Sequence, residues 1–143
     1  MFRTLPSTVI VCLISLCCLP LYAQSEATEA AQQSAESWLA LVDEGSYGES
    51  WDEAAAFFKA QVPKQKWEGM LNQVRAPLGK TQSRKLKDAK YTAALPNAPK
   101  GEYVVIRYDT SFVNAAATVE TVTPMKQEDG SWRVSGYHIL PAQ

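Results

Sequence analysis

The sequence predicts an α+β sandwich, with three N-terminal helices packed on one face of an antiparallel sheet of about four strands. Three observations predict it. Apolar residues recur at spacings of three and four from Ala27 to Val74, the period of a helix with one buried face. From Tyr103 onward the period drops to two, the period of a strand. Asp129-Gly130, a strong hairpin signal, separates two such alternating runs.

The first helix spans Ser25 to Val42, with a stripe of Ala27, Ala31, Ala35, Trp38 and Val42 and a stop at Gly45. Ser46-Tyr47-Gly48-Glu49 has the spacing of a capping box and opens the second helix, whose stripe is Tyr47, Trp51, Ala54, Ala55 and Phe58. Pro63 suits the first turn of the third, which carries Trp67, Met70, Leu71 and Val74 before Pro77 and Gly79 close it. Four strands follow. The first, about Thr81 to Ala93, is rich in lysine and arginine and reads as a solvated edge. Leu95 to Gly101 is a loop, and Tyr103 to Phe112 is the most regular strand. Asn114-Ala115 is a plausible turn into Ala117–Met125, and Asp129-Gly130 turns into Trp132–Leu140.

Two-residue turns at both hairpins would place Tyr108 opposite Thr121, and Thr121 opposite His138. The apolar face would then hold Val104, Ile106, Tyr108, Phe112, Ala117, Val119, Met125, Trp132, Val134, His138 and Leu140. The other face would carry Arg107, Asp109, Glu120, Arg133 and Tyr137. A slip of one residue would reverse the assignment.

The chain has 143 residues, of which the first 23 read as a cleaved secretory signal. Arg3 supplies the positive start, Val9 to Leu19 the apolar run, and Ala23 the small residue before the cut. An uncleaved anchor is the alternative, although eleven apolar residues are short of the about 20 that span a bilayer. Residues 24–143 would form one domain, periplasmic or secreted, with no stable membrane span. Cys12, Cys17 and Cys18 all lie within the leader, so the mature chain would be free of cysteine. An exported domain of this kind points to a bacterial periplasm, because small eukaryotic secreted domains tend to be disulfide-rich. The formal net charge of −1 becomes −2 once Arg3 is removed, which argues against a nucleic-acid partner. Hydrophobics at 46% and aromatics at 10% argue against disorder.

Several segments resemble a family of small exported bacterial proteins known as domain of unknown function 4019. They are Trp38-Leu39-Ala40-Leu41-Val42-Asp43 with Gly45 and Tyr47, then Ser50-Trp51, Leu95-Pro96 and Gly101 to Ile106 with Tyr108. Thr110-Ser111-Phe112, Glu120 to Thr123, Asp129-Gly130 and Trp132 to Tyr137 complete the resemblance. It implies export and a nuclear-transport-factor-2-like fold, in which a curved, cone-like sheet wraps helices. It implies no activity, and it supplies no catalytic residues.

The residues alone supply no catalytic set. His138 is the only histidine, and no nucleophile-elbow glycines flank a serine. One imidazole without cysteine argues against a metal site, and no calcium-loop pattern occurs, so neither metal nor cofactor is expected. Asp43-Glu44 and Glu128-Asp129 lie at element ends and suit capping or turn roles. Buried among helices, His138 would ordinarily bond a tyrosine or threonine hydroxyl. The sharper reading is a ligand pocket inside the cone lined by His138, Tyr108 and Thr121. On the opposite face Arg107, Glu120, Arg133 and Tyr137 form a charged ladder, ordinary in a sheet but also able to bind a carboxylate or phosphate. Lys80, Arg84, Lys85, Lys87 and Lys90 read as a charged edge, and the tryptophans as core.

The leading expectation is a non-enzymatic exported module that binds a small molecule or an envelope protein. A small acid/base enzyme, isomerase- or hydratase-like and using His138 with Tyr108, is the second. A structural or assembly module of the cell envelope is the third.

Overall fold

A computed structural model describes residues 19–143; the leader's charged start, most of its apolar run and all three cysteines lie outside the described residues. Four helices are followed by four strands: α1 (Leu19–Asp43), α2 (Tyr47–Asp52), α3 (Ala56–Gln61), α4 (Lys64–Leu78), β1 (Thr81–Thr92), β2 (Tyr103–Phe112), β3 (Ala115–Lys126) and β4 (Trp132–Pro141). The sheet is antiparallel, open, and ordered β1-β2-β3-β4.

Helix α1 runs unbroken through Ala23, the expected cut, and buries Ala31, Ala35, Trp38, Leu39 and Val42. Its end is a Schellman turn: Ser46 N–H donates to the Leu41 carbonyl and Gly45 N–H to that of Val42, with Gly45 at φ 80°. The expected second helix is two short ones. Ala55 takes an extended conformation, and its N–H donates to the Val134 carbonyl at 2.8 Å, so attachment to β4 replaces a helical bond. The capping box does not form, because the Ser46 side chain makes no capping bond. On α4 the buried stripe is Trp67, Leu71 and Arg75, whereas the expected members Met70 and Val74 are exposed.

Trp38 and Trp67 meet with ring centroids 6.0 Å apart, Phe58 lies edge-on to Trp67 at 5.0 Å, and Tyr137 edge-on to Trp38 at 5.2 Å. These rings, with Val104, Ile106, Tyr108, Val122 and Val134 from the sheet, fill the space between helices and strands.

The register of β2 against β3 differs by one residue from expectation. The turn lies at Val113-Asn114, Phe112 stands opposite Ala115, and Tyr108 stands opposite Glu120. The turn is pulled there by α4: Asn114 N–H donates to the Leu78 carbonyl, and its side-chain amide to that of Pro77. A one-residue slip sends every β3 side chain to the other face. Glu120 is therefore buried against the helices, and Val119 and Met125 face away from them. At the second hairpin a longer turn, with Gly130 at φ 85°, and an irregularity at Thr123/Pro124 offset each other. Thr121 still faces His138, as two-residue turns predict.

Candidate functional site

The expected interior pocket is not assembled. Asp88, Arg107, Thr121 and His138 form one cross-strand row on the face away from the helices, where His138 is exposed. Leu86, Tyr108, Glu120 and Ile139 form the next row, on the helix side. Tyr108 and His138 thus lie on opposite faces of the sheet and cannot act as a pair. The Tyr108 hydroxyl is buried without a hydrogen-bond partner, and burial pushes its pKa up to about 12, so it stays a neutral phenol.

The expected charged ladder is also divided. Arg107 pairs with Asp88, its Nε 2.9 Å from Oδ1, and Arg133 Nη1 donates to the Glu53 carboxylate at 3.1 Å and to the Glu53 carbonyl. Glu120 and Tyr137 lie inside the molecule, where the tyrosine hydroxyl donates to Glu120 Oε2. Burial and the adjacent Glu120 push the Tyr137 phenol well above its ordinary pKa.

Around Glu120 the fold gathers a polar cluster that sequence reasoning missed. Glu120 is fully buried, and its Oε1 accepts from Arg84 Nε at 2.8 Å and from Thr110 Oγ1 at 2.6 Å. Arg84 also grips Asp43 with both terminal nitrogens, at 2.7 and 3.0 Å. Arg75, only 5% exposed, donates to Asp43 at 3.0 Å, to Thr81 at 3.1 Å and to the Tyr137 hydroxyl at 3.3 Å, with its guanidinium 4.8 Å over the Phe112 ring. Burial works against the Asp43 charge, but the bonds from Arg84 and Arg75 outweigh it and hold the carboxyl below the usual aspartate range.

Two guanidiniums thus meet two carboxyl groups, and members come from α1, α4 and all four strands. Such mutual neutralisation makes buried charge tolerable. Each charge in the cluster has a partner of opposite sign, although the buried Arg75 Nε finds no acceptor among the described residues, and these pairs fasten helices to sheet. A signal for Arg75 was available, since Trp67, Leu71 and Arg75 repeat at four residues. Arg84 and Leu86 likewise alternate in phase on β1.

The concavity suited to a ligand lies elsewhere, at the β3–β4 hairpin end. It is an open cleft of about 640 Å³. Helix α1 supplies Ser34, Ser37, Trp38 and Leu41, and the end of α2 supplies Glu49, Asp52 and Glu53. Ser131, Trp132 and Arg133 close the third side. Its walls are fastened: Ser34 Oγ donates to the Trp132 carbonyl at 2.6 Å, and Arg133 reaches Glu53. Trp38, only 3% exposed, donates Nε1 to the Ser50 carbonyl at 2.8 Å and so contributes little surface to the floor. Trp132, expected as core, is half-buried and partly lines this cleft. Among the described residues no group of three or more histidine, cysteine, aspartate or glutamate side chains is placed to hold a metal ion.

Among the described residues no helix is long and apolar enough to cross a membrane. Comparison with curated proteins and with solved structures gives no match. Residues 34–137, which include α2, α3, α4 and the first three strands entire, match the model of DUF4019, described as a protein family of unknown function, and the chain belongs to that family.

Proposed function

We propose that this chain is an exported, non-catalytic binding module and that the cleft beside Trp132 is where it takes its ligand. The observation that carries the reading is the contrast between the two polar regions. The cluster around Glu120 pairs its charges with one another, whereas the cleft is open, lined by the half-buried Trp132 and rimmed by carboxyl groups, the composition of a small-molecule site. An envelope protein presenting one side chain into the cleft would use the same contacts. The acid/base alternative loses its candidate pair, because His138 and Tyr108 occupy different faces.

Export to the periplasm, with cleavage after Ala23, rests on the leader's charge, apolar run and small residue. Fractionation of an expressing bacterium followed by intact mass should find a chain beginning at Gln24 outside the cytoplasm. A cytoplasmic chain of full mass would reject export. For binding, an amide and indole NMR screen of residues 24–143 against a small-molecule library should show saturable shifts clustered at Ser34, Trp38, Ser131 and Trp132. Hits confined to other surfaces, or none at all, would reject the cleft as the site.

A further inference from the structure

We propose that the cleft selects an organic cation, an amine or guanidinium carried on a short apolar or aromatic stem. This inference rests on the cleft-binding reading above and adds the chemical class of its ligand.

Charge is the first argument. Glu49, Asp52 and Glu53 stand on one wall, and Arg133 is the one cation among the lining residues. Arg133 is spent on Glu53, and Asp52 is met from outside the cleft by Lys64 at 2.7 Å. Glu49 has no ion-pair partner among the described residues. The local field therefore favours a positive guest and repels a carboxylate or phosphate.

The floor is the second argument. Trp132 supplies a half-buried indole and Leu41 an apolar wall, while Trp38 behind them is buried in the core. An aromatic face beside an unpaired carboxylate attracts a cation through the ring quadrupole and through charge together. A hydrated inorganic ion would gain nothing from the ring faces, whereas a cation on an apolar stem gains from both.

The third argument is independent of the cleft. On the neighbouring side of α2, the chain's own ammonium groups already occupy this chemistry. Lys59 and Lys64 stand 5.7 and 6.0 Å from the Trp51 ring centroid, while Lys59 donates to the Asp52 carbonyl and Lys64 to its carboxylate. Tryptophan plus the Asp52 backbone and side chain thus hold two cations on one side of the helix. The cleft side offers tryptophan plus Glu49 with no such occupant.

The test uses residues 24–143 and two matched probes, phenethylamine and phenethyl alcohol, which share stem and size and differ in charge. Titrations are followed at the Trp132 indole N–H by NMR. The amine should bind about tenfold tighter than the alcohol. Raising salt from about 0.1 M to about 1 M, which shortens the screening length from about 10 Å to about 3 Å, should erase most of that preference. Glu49→Gln, an exposed change that leaves the core untouched, should weaken the amine several-fold and leave the alcohol unchanged. Equal binding of the two probes, or an indifferent Glu49→Gln variant, overturns the cation claim while leaving the cleft reading intact. Shifts at the cleft from neutral library members alone do the same. No shift at Trp132 with either probe also overturns it, and the library screen then decides the cleft reading separately.

Discussion

The cluster around Glu120 and the cleft beside Trp132 are built from similar groups and do opposite things. Both pair arginines with carboxyl groups, and both sit where helices meet the sheet. Around Glu120 two guanidiniums face two carboxyl groups, every element but α2 and α3 contributes, and Glu120 and Arg75 are buried while Asp43 stands at the surface edge of the cluster. At the cleft one guanidinium faces three carboxyl groups, and the region is open. The difference shows that charge balance and burial, rather than residue type, separate a fastening from a binding site. An interior charge must be compensated within the fold, whereas an exposed one can await a partner.

The largest way to break this comparison is Glu120→Ala. It strands Arg84, Thr110 and Tyr137 around a lost acceptor, and should cost about 3–5 kcal/mol in urea or thermal unfolding. A loss below about 1 kcal/mol would mean that the cluster does not fasten the layers. Gly79→Ala comes next. Gly79 sits at φ 75° between Arg75 and Thr81, and an added Cβ would stand 3.2 Å from that of Val113. A cost of about 1–3 kcal/mol is expected from that left-handed position.

Acid should loosen the cluster through Asp43. Because the folded state holds the Asp43 carboxyl below its ordinary value of 3.8, the unfolded chain binds more protons in acid. The Asp43 contribution is therefore present above about pH 4 and is lost as pH falls through the lower folded value. A pH series of unfolding midpoints should show a shallower acid slope in Asp43→Asn than in the parent, and equal slopes would detach Asp43 from the fastening. Tyr108→Phe removes a buried hydroxyl that has no partner, so it should be neutral or stabilise the fold by up to about 1 kcal/mol. Arg133→Ala, on the exposed pair with Glu53, should change stability least, by about 0.2–1 kcal/mol. A larger loss there would make the cleft rim a second fastening and blur the contrast.

Much of the scaffold was legible. Periodicity placed β2 at its observed bounds and put β1 and β4 within one residue of theirs. It also found the buried face of α1. Local pattern suffices there because each stripe must bury itself whatever its partner. The break at Ala55 was not legible, since Ala54 and Ala55 continue a helical stripe and only the bond to Val134 shows why the chain leaves it. Nor was the place of Glu120: a glutamate on an alternating strand reads as outward-facing until arginines from α4 and β1 are known to meet it. The cleft was equally hidden, because its walls come from segments almost 100 residues apart, Ser34 and Trp132.

By itself, then, the sequence determined the class of fold, the order of helices before strands, and the family. All of these follow from short-range periodicity, motif order and composition. Only the tertiary structure decided which face of β3 looks inward, and hence that Glu120 fastens the core while His138 stands outside it. The physical reason is that strand register turns on a single residue at a hairpin. The ties between Asn114 and the end of α4 set that residue, and they exist only once the chain has folded.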